Sequence, residues 1–127
     1  MSQSYRMYSS SKKVLIIEDN YDVGRYLLRI LQKEGFSPIL AHDGLEALDL
    51  ARSNKFDLVI TDLKLPYVSG IEIIKELVMY YPKMPIIVLS GHKKQEDIPA
   101  FLQIYINYLP KPVNKDVLFS TIRQTLI

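Results

Sequence analysis

The sequence predicts an α/β three-layer domain built from five βα units. Short apolar runs at 14–17, 58–60 and 86–89 recur between stretches of helical spacing, the pattern of strands buried on both faces of a parallel sheet. Helix-capping residues come after several of these strands, and right-handed crossovers then place helices on both faces of the sheet.

Asn20 can cap the first helix, whose apolar positions Val23, Tyr26, Leu27, Ile30 and Leu31 fall on one face before Gly35 ends it. Residues 36–41 give the second strand. Asp43 with Glu46 three residues later forms a capping-box signature for a helix through residue 53, and Ser69 with Glu72 repeats it. The helix opened at Ser69 carries Ile73, Ile74, Leu77 and Val78 inward. It stops before Pro82, because proline disfavours helical geometry in the residue preceding it, and Pro85 leads into the fourth strand. In the segment 93–104, Pro99 cannot occupy a helix interior, so the fourth helix is predicted to begin there. Residues 105–109 give the fifth strand, and Asn114 caps a last helix that buries Val117, Leu118, Ile122 and Leu126.

At 127 residues the chain holds one core, so a single domain carries the activity. Residues 1–11 are polar and serine-rich and read as a loose tail, with the domain spanning 12–127. Hydrophobic residues at 48% and charged residues at 24% match a globular domain and argue against disorder or a fibrous repeat. No apolar run reaches membrane-spanning length, so no membrane role is expected. The absence of cysteine removes disulfide and thiolate chemistry and makes the cytoplasm the default location. A formal charge of +2, interspersed along the chain, speaks against direct nucleic-acid binding.

The residues directly after the apolar strands are the informative feature: Glu18 and Asp19 after the first, Asp62 after the third, Ser90 after the fourth, Lys111 after the fifth. In an open doubly wound sheet these carboxyl ends share one edge, where ligands bind. Three converging carboxylates repel unless a cation or a basic side chain balances them. Hard oxygen ligands without cysteine favour Mg²⁺ over Zn²⁺, and Lys111 supplies the balancing base. A carboxylate can also attack phosphorus to give an acyl phosphate, for which Asp62 is the candidate. An acid just past a strand is ordinarily a solvated loop residue, so the joint pattern carries the reading. Tyr108 is equally a packed strand aromatic or a switch residue. His42 and His92 share no metal-ligand spacing and read as surface residues.

With these residues in place, the chain resembles the receiver domain of two-component response regulators, of the chemotaxis-regulator-like kind, over 12–127. The motifs are Asp62-Leu63-Lys64-Leu65-Pro66 with Gly70 and Glu72 shortly after, Glu18-Asp19-Asn20, and Tyr108-Leu109-Pro110-Lys111-Pro112. The resemblance implies a flavodoxin-like (βα)₅ fold with strand order 2-1-3-4-5. It implies phosphoryl transfer from a sensor histidine kinase or histidine phosphotransfer protein to Asp62. Asp19, Asp62 and the Lys64 backbone carbonyl would bind Mg²⁺, Glu18 acting directly or through water. Lys111 would pair with a phosphoryl oxygen, and Ser90 with Tyr108 would couple the new charge to the surface of helix four, strand five and helix five. Such a chain is a signalling phosphoacceptor that catalyses only its own phosphorylation and slow dephosphorylation. A downstream effector domain or protein, and a phosphorylation-dependent dimer, are the implied partners.

Leu65 replaces a common methionine, and Ser69 a common acid; both changes preserve size or capping. Ile104 stands where a glycine often ends helix four, which with Pro99 predicts an altered, apolar output face through Ile104, Tyr105 and Ile106. Three rival readings fit less well. A haloacid-dehalogenase-type phosphatase needs a second acid where Lys64 stands and a cap domain this chain is too short to hold. A flavin mononucleotide binder needs a phosphate-cradling loop where Glu18-Asp19 would repel phosphate. A receiver-like module working without phosphorylation would not need the complete acid, serine and lysine set.

Overall fold

Five parallel strands, ordered 2-1-3-4-5 by their place along the chain, form the centre of the molecule. The computed structural model describes residues 12–91 and 98–126. Along the chain run β1 (Lys13–Ile17), α1 (Tyr21–Lys33), β2 (Ser37–Ala41), α2 (Gly44–Ser53), β3 (Leu58–Asp62), α3 (Gly70–Tyr80), β4 (Ile86–Ser90), α4 (Ala100–Gln103), β5 (Ile106–Pro110) and α5 (Lys115–Leu126). The predicted tail, 1–11, and His92 lie outside the described residues. The expected fold class and strand order are both present.

Alternation along the strands divides the core. Leu15, Ile17, Val59, Ile86 and Val88 pack with Ala47, Ala51, Ile73, Ile74, Leu77 and Leu102 from α2, α3 and α4. Val14, Ile16, Leu58, Ile60, Ile87 and Leu89 pack on the other face with Leu27, Ile30, Leu31, Leu118 and Ile122 from α1 and α5. Every residue of β3 and β4 is buried, as strands covered on both faces must be. Each fully buried Ile or Leu contributes about 1.5–3 kcal/mol through removal of apolar surface from water. These two strands are therefore rigid mounts for whatever sits at their ends.

The helix ends are set by the expected residues. Asn20 Oδ1 accepts from the Val23 amide at 3.0 Å. At the other end of α1, Gly35 takes φ 95°, and the Gly35 and Phe36 amides donate to Gln32 O and Leu31 O at 3.0 and 3.1 Å. This pair of bonds is a Schellman closure, and only a residue tolerant of positive φ stands there without strain. Asp43 Oδ1 caps Glu46 N at 2.8 Å, while Glu46 Oε1 reaches back to the His42 amide, one residue earlier than in the standard box. Ser69 Oγ and Asn114 Oδ1 cap α3 and α5.

Three details differ from the sequence expectations. β3 and β4 run on to include Asp62 and Ser90. Tyr26 and Val117 are 42% and 48% exposed, and Phe119, stacked 6.5 Å from Phe36, takes the core position on α5. β5 starts at Ile106, which is buried, so the exposed apolar residues beside it are Phe101, Ile104 and Tyr105. α4 agrees with expectation: it comprises four residues and opens directly after Pro99, whose missing amide donor costs nothing at a helix start.

Candidate functional site

The carboxyl ends of β1, β3, β4 and β5 meet on one edge of the sheet, and the predicted side chains come with them. Glu18 leaves β1 with its amide bonded to Ala41 O at 3.0 Å, which turns its side chain inward until only 2% remains exposed. Its Oε2 accepts from the Asn20 amide at 3.1 Å and its Oε1 from Lys111 Nζ at 2.8 Å. Asp19, the next residue, is exposed.

Asp62 ends β3 and is nearly buried. The Leu63 and Lys64 amides donate to Oδ1 at 2.7 and 3.3 Å, which fixes the plane of the carboxylate, and Lys111 Nζ lies 2.8 Å from Oδ2. Carboxylate oxygens of Glu18, Asp19 and Asp62 all lie within 4.8 Å of one another. Against three carboxylates stands one ammonium, leaving two negative charges for a divalent cation to neutralise. Hard oxygens, the small number of protein ligands and one exposed member all fit Mg²⁺, which keeps several waters.

Electrostatics reflect this crowding. Burial raises the Glu18 carboxyl above its ordinary value of 4.5, partly offset by its bonds to Lys111 and the Asn20 amide. Burial works against the Lys111 ammonium too, but its hydrogen bonds to Asp62 and Glu18 prevail and hold it above 10.5. The lysine therefore stays charged at neutral pH.

Ser90 ends β4, buried, one residue past the Leu89 that pairs in register with Asp62. Its carbonyl accepts from the Lys111 amide at 2.9 Å, tying the lysine backbone to this strand end. Gly91 lies beside the lysine stem, where an added Cβ would make ordinary contact with Lys111 Cβ at 3.5 Å. Tyr108 lies on β5 opposite Val88 and packs, half-buried, against the core face of α2, α3 and α4. Lys64 is exposed, so its side chain leaves the site while its backbone remains beside Asp62. His42 is exposed, as predicted.

Three further residues shape the site: Thr61 and Tyr67, which lie outside the sequence motifs, and Gly70, which the motif includes without showing why. Thr61, fully buried, donates from Oγ1 to the Asp62 carbonyl at 2.8 Å; the signal available was a polar residue between the apolar run 58–60 and Asp62. Gly70 donates to Leu63 O at 2.9 Å, and a Cβ there would stand 2.5 Å from both Asp62 O and Leu63 Cα. Tyr67 takes φ 70° between Pro66 and Val68, whose O and N are hydrogen-bonded at 2.8 Å, the i to i+2 bond of a γ-turn.

Comparison with known proteins agrees with this arrangement. The model of the response regulator receiver domain matches residues 14–123. The transcriptional regulatory protein GlrR of Escherichia coli K12 is 33% identical over 114 residues, covering 89% of this chain and 26% of that protein. Among solved structures, a CheY-like response regulator receiver domain protein from Methanospirillum hungatei superposes with TM-score 0.86 at 29% identity, covering 92% of this chain and 94% of that one. TrrA of Thermotoga maritima, solved in complex with Mg²⁺-BeF, does so with TM-score 0.81 at 28% identity, covering 91% and 99%. An α/β domain with acids and a lysine at its strand ends is a phosphorylation-based signalling module in this setting. The chain belongs to the response regulator receiver domain family. It spans between 26% and 51% of the length of the curated relatives it matches first. No helix among the described residues is long and apolar enough to cross a membrane.

Proposed function

We propose that Asp62 accepts a phosphoryl group from a phosphohistidine on a sensor histidine kinase or histidine phosphotransfer protein. The observation that carries the reading is the bridge from Lys111 to both Glu18 and Asp62, with Asp19 beside them. In the transfer, an Asp62 carboxylate oxygen bonds to phosphorus as the phosphorus–nitrogen bond of the donor breaks, and the imidazole keeps the departing electron pair. Such a loose phosphoryl transfer needs alignment and charge neutralisation more than a general base.

Each residue has a role in that scheme. The Leu63 and Lys64 amides hold the Asp62 carboxylate plane. Lys111 moves with the new charge from Asp62 to a phosphoryl oxygen. Asp19, Asp62 and the Lys64 carbonyl would hold Mg²⁺, with Glu18 acting directly or through water. When bound, Mg²⁺ supplies neutralisation of the carboxylates and the incoming phosphoryl oxygens. The BeF complex of TrrA with Mg²⁺ is a precedent for this chemistry on the same fold.

A phosphoryl group brings about −1.5 to −2 of charge and strong acceptor oxygens. Ser90 and Lys111 are the groups drawn to it, and Tyr108 relays their movement to the surface of α4, β5 and α5. Phe101, Ile104 and Tyr105, exposed there, make that output face apolar. A downstream effector domain or protein reads it, with a phosphorylation-dependent dimer as one form of output, in the cytoplasm and without direct contact to nucleic acid. The chain acts as a phosphoacceptor, catalysing only its own modification and its slow reversal.

Incubation with acetyl phosphate tests the reading. Intact mass should rise by one phosphate with Mg²⁺, and not with EDTA or in Asp62→Asn. An increment that survives Asp62→Asn overturns the assignment.

A further inference from the structure

We propose that a cavity at the opposite edge of the sheet binds a small amphipathic anion: an aromatic or aliphatic body carrying a single carboxylate or sulfonate. The cavity, of about 750 Å³, lies between the α2–β3 and α3–β4 connections. That volume is within the roughly 300–1,000 Å³ of small-molecule sites. Phe56, Tyr81, Met84 and Pro85 give it an apolar lining. The Tyr81 hydroxyl donates to Ala51 O at 3.1 Å, which ties the start of the α3–β4 connection to the last turn of α2 beside the cavity.

Charge selects the ligand. Arg52 is occupied by Glu76 at 2.7 Å. Asp57 accepts from the Lys13 amide at 2.8 Å, while the Lys13 ammonium stands 5.5 Å over the Phe56 ring and offsets it. Lys55 and Lys83 remain, both exposed on the rim and neither in an ion pair with another described residue. Two charges of +1 are opposed by the carboxyl ends of α2 and α3, each worth about −0.5. About one positive charge is left over, which suits a monoanion. A cation would meet the lysines, and a neutral apolar body would leave them unpaired at the rim. The site is independent of phosphorylation chemistry, because Phe56 precedes β3 and Asp62 ends it, and the strand from Leu58 to Asp62 alone spans about 13 Å at roughly 3.3 Å per residue.

The test uses 1-anilinonaphthalene-8-sulfonate, an aromatic monoanion, titrated into the full chain while amide NMR shifts and probe fluorescence are monitored. Shifts should concentrate at 51–57 and 81–85 with one-to-one stoichiometry. The Lys55→Glu/Lys83→Glu variant changes only exposed residues, so its amide spectrum should stay native while affinity falls at least tenfold. Asp62→Asn should bind as the unaltered chain does. Shifts centred elsewhere, an affinity within twofold after charge reversal, or equal affinity for neutral N-phenyl-1-naphthylamine would each overturn the proposal.

Discussion

The Lys111 ammonium stands 2.8 Å from both Glu18 Oε1 and Asp62 Oδ2, so one charge bridges carboxylates from two different strands. Glu18 and Asp62 stand at the ends of the neighbouring strands β1 and β3, whereas Lys111 reaches them from the end of β5, two strands beyond β3. The bridge makes β5 part of the site and gives the lysine two partners to leave when a phosphoryl group arrives.

Lys111→Ala removes the ammonium that bridges the cluster and leaves Glu18 and Asp62 facing each other. Its side chain is 22% exposed, so the loss is below that of a fully enclosed pair, about 1–3 kcal/mol. Urea denaturation in EDTA should show it. Mg²⁺ should restore more stability to the variant than to the unaltered chain, since it relieves the same repulsion.

Glu18 gives a pH signature in metal-free protein. Its carboxyl is raised above 4.5 in the fold, chiefly by burial, so between 4.5 and the raised value the unfolded chain has lost its proton while the folded chain keeps it. The contribution is fully present below 4.5 and is lost as pH rises through the folded value. Glu18→Gln lacks that loss. Chemical denaturation across this window should therefore show the variant gaining on the unaltered chain as pH rises.

Gly70→Ala should disturb both stability and the site. The new methyl would meet the Asp62 and Leu63 backbone, which has no flexible end to move aside. Overpacking of this kind costs about 3 kcal/mol at the upper end of its usual range. A thermal shift together with slower acetyl phosphate labelling would confirm it; an unchanged midpoint would contradict it.

Tyr67→Gly should have the opposite sign. A tyrosine at φ 70° carries about 1–2 kcal/mol of left-handed strain that glycine does not, and the exposed ring has little packing to lose. Glycine's greater freedom in the unfolded chain returns part of this. A net gain of about 0.5–1 kcal/mol in denaturant is expected, from the difference between these two effects.

Much of this site was legible in the sequence because its determinants are local. Capping side chains three residues from the amides they accept from, Gly35 after an apolar helix face, and acids directly after apolar runs are all short-range signals. The convergence of Glu18, Asp19, Asp62 and Lys111 came from fold class, since strand order alone decides which ends meet. The features that escaped depend on packing. Val117 and Leu118 are both apolar, and only the placement of Phe119 against Phe36 shows which face of α5 turns inward. The run Ile104, Tyr105, Ile106 has no alternation, so the start of β5 could not be read from it. Tyr67 and Gly70 matter through backbone geometry, which residue type only hints at.

The central claim is that the phosphoryl group resides on Asp62. Borohydride reduces an aspartyl phosphate to homoserine, and tryptic cleavage after Lys55 and Lys64 releases residues 56–64, a peptide that also contains Asp57 as an internal control. After labelling with acetyl phosphate and Mg²⁺, homoserine should appear at position 62 alone. Homoserine at position 57 or in another peptide, or a phosphate that resists borohydride, would contradict the assignment.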